Sequence, residues 1–267
     1  MNDGQAQTVT SEIIARIDGA AGRITLNRPK ALNALSGALI DALQTEFDHL
    51  KADRRIRVVV IEANGRAFSP GHDLREMRAT NDQAVHRDLL RRCSTMMLSI
   101  RALPQPVIAK VHAIATAAGC QLVAACDLAV AASTATFGTH GVNNGLFCGT
   151  PSVPVGRNVG AKRALDMLLS GEEIDAATAL RDGLVSRVVP PEQLDAETLK
   201  LARRIAGQSP LAVAGGKAMF HRHMEMNLTD AYAFATEYMA EALASEDARD
   251  GIDAFIAKRP TPDWKGR

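Results

Sequence analysis

Two segments rich in small residues carry the candidate chemistry of this sequence. Residues 65–77 read GRAFSPGHDLREM, and residues 115–122 read ATAAGCQL. Each follows a predicted buried strand and runs into a predicted helix. The small side chains let a ligand approach the backbone, and a helix N-terminus offers unpaired N–H groups with a positive dipole end. Either segment alone is typical of an ordinary turn. If the two face each other, their N–H groups could hold a developing oxyanion.

Several common catalytic motifs are missing from the sequence. There is no GxGxxG after a strand, no P-loop GxxxxGK, no GxSxG and no HExxH. Dinucleotide folds, P-loop enzymes, α/β-hydrolases and zinc proteases therefore have no motif support. The seven histidines show no ligand spacing, and the four cysteines form no CxxC pair. We expect no metal site and no tightly bound cofactor.

Composition and charge are those of an ordinary folded protein. Hydrophobic residues make up 46% and charged residues 23%, and the net charge is +1. This balance gives no electrostatic reason for binding nucleic acid or a membrane surface, and the apolar runs are too short to span a bilayer. The polar residues 1–10 show neither a secretory nor a transit-peptide pattern. We expect them to form a flexible tail, and we expect a cytoplasmic protein with reduced thiols.

Hydrophobic periodicity predicts strands first and helices last. Ser36 is a plausible N-cap for a helix in which Leu39, Leu43 and Phe47 recur at helical spacing. This order indicates an α/β core over residues 11–190 and a helical region over residues 191–267. The predicted strands are residues 11–18, 23–26, 56–61, 107–111 and 128–132. The predicted helices are residues 39–50, 82–102, 117–125, 161–170, 175–182, 194–208, 211–223, 229–245 and 247–258.

Five segments, in this order, resemble the signatures of the crotonase (enoyl-CoA hydratase/isomerase) superfamily. They are LNRPKALNALS, GRAFSPGHDLREM, ATAAGCQLVAACDLAVA with FGT following, GLVSRVVP and GIDAFIAKRPTPDW. The resemblance covers roughly residues 12–262. It implies a spiral of repeated ββα units with a helical C-terminal trimerisation region, assembled as a homotrimer or a dimer of trimers. The GHDL, AAGCQL and GVNNGLFC segments resemble the subgroup of enoyl-CoA hydratase domain-containing proteins.

The resemblance also implies a role for particular residues. The backbone N–H groups of His72 and Ala118 would polarise the carbonyl of an acyl-CoA thioester, which would be the substrate. Asp73 would support the loop that carries His72. The residues implied for coenzyme A are Lys30, Ala31, Leu32 and Pro70, with Phe255 and Lys258 reaching the coenzyme A of a neighbouring subunit.

The sequence departs from the family pattern at the two acid positions. Hydratases of the family place a glutamate where this chain has Gln121 and Gly141. Glutamine cannot exchange a proton at neutral pH, whereas each proton transfer in such a reaction is worth ~10²–10⁴-fold in rate. Possible substitutes, each of which also has an ordinary structural interpretation, are His140, His72, Cys120, Cys148 and Glu76.

Two hypotheses about function follow. The first is an enoyl-CoA hydratase/isomerase-like enzyme, a lyase or isomerase of fatty-acid or related acyl-CoA metabolism, that stabilises an enolate in a backbone oxyanion hole. The second is a non-catalytic acyl-CoA-binding protein on the same scaffold. The retained loop segments favour the first hypothesis, and the loss of both glutamates favours the second.

Overall fold

The computed structural model describes residues 7–267. Most of the predicted tail, residues 1–6, lies outside the described residues, but Gln7–Val9 forms an edge strand paired with the next strand. The strands are β1 Gln7–Val9, β2 Ile13–Asp18, β3 Ala21–Leu26, β4 Val58–Ala63, β5 Val107–Val111, β6 Ala115–Thr116, β7 Leu128–Ala132, β8 Thr136–Gly138, β9 Glu173–Asp175 and β10 Arg187–Val189. The helices are α1 Gly37–Ala52, α2 Leu74–Arg78, α3 Gln83–Ala102, α4 Ala118–Ala125, α5 Gly149–Val159, α6 Ala161–Ser170, α7 Ala176–Arg181, α8 Leu194–Ala206, α9 Pro210–His223, α10 Leu228–Leu243 and α11 Glu246–Ile256.

A seven-stranded sheet in the order β1-β2-β3-β4-β5-β7-β10 forms the centre of the chain. It is antiparallel from β1 to β3 and parallel from β3 onward. A small second sheet, β6-β8-β9, lies beside it. The chain therefore advances in strand–strand–helix turns, such as β5-β6-α4. In the turns that begin with β5 and β7, a strand of the large sheet is followed by a short strand of the small sheet and then by a helix.

The strand β4 shows why the sheet is buried on both faces. Its residues Val58 to Ile61 are all fully buried, as expected for a parallel strand covered by helices on both sides. Val59 and Ile61 join the main core, which also contains apolar residues of α1, α3 and α4. Val58 and Val60 face a second cluster that contains Leu194. Helix α8 thus covers the other face of the sheet. The division into domains at residue 190 stays a prediction, although α8, just beyond it, packs on the sheet.

The predicted long elements agree closely with the structure. Ser36 caps α1 by accepting the Leu39 N–H, and Asp82 caps α3 by accepting the Ala84 N–H. The sequence does not predict β1, β6, β8, β9, β10 or α5, because these elements are short or lack a clear period. In the described part of the chain, no helix is both long and apolar enough to cross a membrane.

An ion-pair network ties α8 to the sheet. Glu62 at the end of β4 accepts hydrogen bonds from Arg23 at 2.7 Å and from Lys110 at 2.7 Å, and Asp195 of α8 contacts the same two cations at 3.0 and 2.6 Å. Arg23 and Glu62 are both buried. Burial alone would raise the pKa of Glu62, but the hydrogen bonds from Arg23 and Lys110 outweigh it and lower that pKa below the usual 4.5. Because the folded pKa is the lower one, the stabilisation is complete above the unfolded pKa and is lost as the pH falls through the folded pKa.

We predict that Glu62→Ala lowers the free energy of unfolding by about 3 kcal/mol or more, because it leaves buried cations with too few partners. Urea unfolding measured by circular dichroism tests this. Asp18→Ala is the matched control. Asp18 is half-exposed and lies 3.5 Å from the same arginine, so its loss should cost less than about 1 kcal/mol. The difference between wild type and Glu62→Ala should also shrink below about pH 4.5, where the wild-type carboxylate begins to lose its advantage. Equal losses for the two variants at pH 7 would contradict the role given to Glu62.

Candidate active site

The loop after β4 holds the His72 N–H free of the strand ladder. Gly71 has φ +102°, a conformation open to glycine. Its carbonyl accepts the Leu35 N–H at 2.7 Å, and the Asp73 N–H donates to the Leu35 carbonyl at 3.1 Å. These bonds flank His72 in a parallel bridge. The His72 N–H donates to none of the residues that the structure describes, so it is available to a ligand.

The second N–H belongs to Ala118, the first residue of α4. Ala117 before it has φ 47° and ψ −120°, an unusual conformation for a residue with a side chain. The Ala117 N–H donates to the Gly138 carbonyl, and the Ala117 carbonyl accepts the Gln121 N–H, both at 2.9 Å. The Ala118 N–H has no acceptor among residues 7–267, as expected at the first turn of a helix.

Two glycines bring these N–H groups onto adjoining stretches of backbone. A methyl group added to Gly71 would lie 2.9 Å from the Ala118 nitrogen and 2.8 Å from the Ala117 Cβ. A methyl group added to Gly119 would lie 2.1 Å from the Ser69 carbonyl oxygen. The Thr116 N–H donates to that same oxygen at 2.9 Å. The two loops therefore touch backbone to backbone, and this arrangement can present two N–H groups to one carbonyl oxygen.

A buried asparagine in the segment LNRPKALNALS, which the sequence did not single out, is hydrogen-bonded to the loop after β4. The Asn33 side chain donates to the carbonyls of Asn64 at 2.7 Å and Ala67 at 2.9 Å, and it accepts the Arg28 N–H at 2.9 Å. The Ser69 hydroxyl donates to the Asn33 carbonyl at 2.9 Å. Asn33 has φ 62°, which asparagine tolerates better than most residues. Asn33 stands in the segment NALS, and nothing in that segment predicts a buried amide that holds a distant loop.

The implied coenzyme A residues form a surface beside this loop. Lys30 and Ala31 lie in a 3₁₀ turn, and Leu32 ends that turn in the left-handed region with φ 55°. The side chain of Lys30 is exposed and has no ion-pair partner among the described residues. The Pro70 carbonyl accepts the Thr116 hydroxyl at 3.2 Å, so only its second lone pair is left for a ligand. Asp73, implied to support the loop, caps α2 and contacts Arg28 at 3.2 Å.

The two acid positions differ sharply in their surroundings. Gln121 is 3% exposed, and its Oε1 is buried without a hydrogen-bond partner in the described chain. Gly141 has no space for a side chain, because a methyl group there would lie 2.1 Å from the Leu146 carbonyl oxygen and 2.7 Å from the Cys148 Sγ. Its N–H donates to that sulfur at 3.2 Å. The loop around Gly141 is therefore folded against its own backbone.

Comparison with known proteins gives one consistent result. Residues 16–267 match the enoyl-CoA hydratase/isomerase family. A Xenopus laevis relative named enoyl-CoA hydratase domain-containing protein 3, mitochondrial, is 48% identical over 242 residues, which cover 91% of this chain and 82% of that protein. The chain belongs to the enoyl-CoA hydratase/isomerase family.

Solved structures agree with this assignment. The human enoyl coenzyme A hydratase domain-containing protein 3 matches with a TM-score of 0.92 at 43% identity, covering 95% of this chain and 100% of that one. An enoyl-CoA hydratase from Mycobacterium smegmatis matches with a TM-score of 0.91 at 46% identity, covering 97% and 98%. The predicted crotonase-like α/β fold and the predicted subgroup are confirmed. The predicted trimerisation stays a prediction.

The predicted cytoplasmic location is wrong. Relatives from five organisms that share the name enoyl-CoA hydratase domain-containing protein 3 are all named mitochondrial, at 42% to 48% identity. The prediction rested on the composition of residues 1–10 and on the cysteine pattern. A targeting signal is separate from the folded domain, so the packing and chemistry of the fold carry no information about the compartment.

Two histidines are candidates for the acid–base work that family hydratases assign to glutamates. Burial lowers the pKa of His72, and its Nε2 is buried without a partner in the described residues. His72 is therefore neutral at pH 7. The Nε2 of His140 instead lies 3.4 Å from Glu173 Oε1, and both side chains are partly exposed. His140 thus contacts β9 on the small sheet.

The other candidates have structural roles. Both Glu76 carboxylate oxygens accept the Gly37 N–H, at 3.0 and 3.2 Å, so Glu76 caps the N-terminus of α1. Burial, with a further contribution from Cys148, raises the pKa of Cys120 to about 12. Burial also raises the pKa of Cys148, although the Gly141 N–H opposes the shift. Both thiols are protonated at neutral pH, which makes them weak nucleophiles.

The C-terminal pair lies far out on the surface of the single chain. Phe255, in the last turn of α11, is 85% exposed. Lys258 follows with φ 53° and an exposed side chain. The Lys258 side chain has no ion-pair partner among the described residues, and the role of both residues at a neighbouring subunit stays a prediction. Within residues 7–267, no group of three histidine, cysteine, aspartate or glutamate side chains could hold a metal ion.

We predict that Gly119→Ala abolishes productive binding of acyl-CoA. The added methyl group would lie 2.1 Å from the Ser69 carbonyl, so the two loops must separate and the N–H groups lose their shared target. Gly156→Ala is the matched control, because its methyl group would meet only the Ala164 Cβ at 3.8 Å. Binding measured by calorimetry with crotonyl-CoA should fall at least tenfold for Gly119→Ala, and the Gly156→Ala protein should be at least as stable as wild type. Unchanged binding by Gly119→Ala would contradict the contact between the loops.

Proposed function

We propose that this chain binds acyl-CoA thioesters and polarises the thioester carbonyl with the N–H groups of His72 and Ala118. One observation carries the proposal. Both N–H groups lack an acceptor in the described residues and lie on two stretches of backbone whose close approach requires Gly71 and Gly119. Membership of the enoyl-CoA hydratase/isomerase family supports the choice of substrate class.

The proposed chemistry begins at the carbonyl. Two N–H groups stabilise negative charge that develops on the carbonyl oxygen, and fixed donors need no reorganisation when that charge forms. The N-terminus of α4 adds a positive dipole end beside Ala118. This stabilisation makes the carbon next to the carbonyl more acidic and its enolate accessible. Lys30, Ala31, Leu32 and Pro70 would hold the coenzyme A moiety at the side of the site that Asn33 fixes.

Proton transfer is the missing half of the site. Gln121 can orient a water molecule but cannot take its proton at neutral pH, and Gly141 offers no side chain. Of the candidate substitutes, the neutral His72 and His140 are the two imidazoles that remain as proton-transfer groups. We therefore propose a slow hydratase or an isomerase-like enzyme that acts on enoyl-CoA through an enolate.

A non-catalytic acyl-CoA-binding protein is the second candidate function. The packing around Gly141 favours it, because the Leu146 carbonyl and Cys148 already occupy the space of a side chain there. The difference from family hydratases is therefore more than the loss of one side chain. The loop around Gly141 is folded so that a glutamate side chain does not fit there.

We predict that the wild type hydrates crotonyl-CoA slowly and that Gln121→Glu raises the rate at least tenfold, because one proton-transfer group is worth ~10²–10⁴-fold when it is well placed. The gain should be smaller than the gain from two well-placed glutamates, since two such acids act as a unit. Loss of absorbance by the enoyl thioester measures the rate. Gln121→Met, which matches the size without the proton transfer, is the control and should show no gain.

Gly141→Glu should fail to add to this gain and should lower the melting temperature, because its Cβ meets backbone. A wild-type kcat/KM of about 10⁶ M⁻¹s⁻¹ or more would contradict the proposal of a missing acid. In that case His140→Ala and His72→Ala, assayed separately, would identify the group that supplies it.

We also propose that the chain assembles as a homotrimer or a dimer of trimers. Helices α9 and α10 are 14 and 16 residues long and bury no residue fully within the single chain. Their exposed apolar side chains include those of Phe220, Leu228 and Tyr232, which is more apolar surface than two helices usually leave to water. In the assembly, Phe255 and Lys258 would approach the coenzyme A of a neighbouring subunit.

We predict that Lys258→Glu weakens coenzyme A binding about fivefold at low salt and less at high salt, because an exposed cation near phosphate contributes ~0.2–1 kcal/mol. Light scattering should first show a mass of three or six chains. The control is Lys162→Glu, an exposed lysine on α6 without an ion-pair partner in the described residues. Equal titration curves for the two variants at low salt would contradict the role of Lys258.

A further inference from the structure

A second cleft lies at the opposite end of the sheet from the candidate site. The candidate site follows the carboxyl ends of β4 and β5, whereas this cleft is lined by residues 51–57 and 104–105, which precede the same two strands. Residues 205–214 and the C-terminal residues 264–266 close it. Its volume is about 500 Å³, within the ~300–1,000 Å³ range of small-molecule sites. We call it the tryptophan cleft.

The charge of the tryptophan cleft has one sign. Its cations are Lys51, Arg54, Arg57 and Lys265, and no aspartate or glutamate is among the residues that line it. Lys265 is paired with two carboxylates outside the cleft. Within residues 7–267, the other three form no ion pair. Arg57 donates to the Gln208 carbonyl and lies within electrostatic reach of the buried Asp247 carboxylate, which accepts the N–H groups of Lys265 and Gly266. A cleft with unpaired cations attracts an anion.

The single tryptophan of the chain lines the same cleft. Trp264 is held by a hydrogen bond of 2.9 Å from its Nε1 to the Gly207 carbonyl. Its ring edge lies against Gly251, where a methyl group would come within 3.1 Å of it. This fixed aromatic ring gives a flat ligand such as a nucleobase a surface to stack on.

A buried amide is the third feature of the cleft. Gln105 is 5% exposed and lines the cleft. Its Nε2 donates to the Leu50 carbonyl at 2.7 Å, which fixes the orientation of the amide. Its Oε1 is buried and has no donor among the described residues. A buried carbonyl without a donor is costly, and a ligand with an amino group could provide that donor.

We propose that the tryptophan cleft binds an adenine nucleotide, separately from the acyl-CoA site. The indole of Trp264 would stack on the base, Gln105 Oε1 would accept from the exocyclic amino group, and Lys51, Arg54 and Arg57 would contact the phosphates. The nucleotide can come from free ADP or ATP, or from the nucleotide part of a second coenzyme A molecule. The proposal does not depend on the proposed function, since the residues of the two sites lie at opposite ends of the strands.

The test uses the fluorescence of Trp264, which reports on this cleft alone because the chain has one tryptophan. Titration of the full-length protein with ADP should change the emission saturably. Arg54→Ala should weaken the apparent Kd about fivefold, the value of one exposed charge contact, and added salt should weaken it further. Arg55→Ala is the matched control. Arg55 is the next residue, is paired with Asp53 and does not line the cleft, so its loss should leave ADP binding unchanged.

Two further arms separate the ligand sources and the sites. Coenzyme A that displaces ADP from the cleft would identify coenzyme A as a ligand there, and ADP binding that coenzyme A does not displace would identify a free nucleotide. Lys30→Glu, at the acyl-CoA site, should leave the ADP signal intact. The proposal is overturned by an absence of any saturable signal, by tripolyphosphate binding as tightly as ADP, by equal effects of Arg54→Ala and Arg55→Ala, or by loss of the signal in Lys30→Glu. Hydration of crotonyl-CoA by the Arg54→Ala protein is measured in parallel, so that a failure of this proposal can be told apart from a failure of the proposed function.

Discussion

The contact between two stretches of backbone, residues 69–71 and residues 117–119, is the constraint on which the candidate site depends. Side chains normally keep backbones apart, and here Gly71 and Gly119 remove them at the two points of contact. The same contact brings the N–H groups of His72 and Ala118 onto adjoining backbone, and neither N–H donates within a helix or a strand ladder. The large sheet fixes the strands that lead into both loops, and Asn33 and Ser69 fix the loop after β4 from its other side.

The Ala117 conformation shows what this arrangement costs. A non-glycine residue at φ 47° and ψ −120° carries strain of ~1–3 kcal/mol. Its N–H and carbonyl are both hydrogen-bonded, to Gly138 and Gln121, so the surrounding structure holds the residue in place. The conformation turns the chain from β6 directly into α4, which leaves the Ala118 N–H without an acceptor among residues 7–267. The strain at Ala117 and the unpaired N–H of Ala118 therefore have the same cause, which is the turn between β6 and α4.

The sequence predicted the elements whose residue pattern repeats along the chain. It missed the contacts that depend on one pair of residues far apart in the sequence. Strands buried on both faces, such as β4 and β5, are continuous apolar runs, and amphipathic helices such as α1 and α3 carry a helical period. These four elements therefore agree with the prediction. The strands β6 and β9 contain two and three residues, which is too few for a period. The resemblance to the family pointed to His72 and Ala118, yet the steric need for Gly119 and the buried amide of Asn33 depend on neighbours 50 and 31 residues away in the chain. No local pattern encodes such pairs.

The Gly141 loop changes the meaning of the lost glutamates. A glutamine at residue 121 differs from a glutamate by one exchangeable group in a site of the same shape, and a single substitution restores that group. Gly141 is different, because its N–H, its carbonyl and the space above its Cα are all taken by residues 146–148. In the proposed mechanism, the two free N–H groups would stabilise an enolate but would move no proton. The protons would then come from water held by Gln121, from a neutral imidazole, or from the acyl group itself. A substrate whose own hydroxyl or amino group donates to the unpartnered Oε1 of Gln121 would satisfy a buried acceptor that lacks a donor in the described chain.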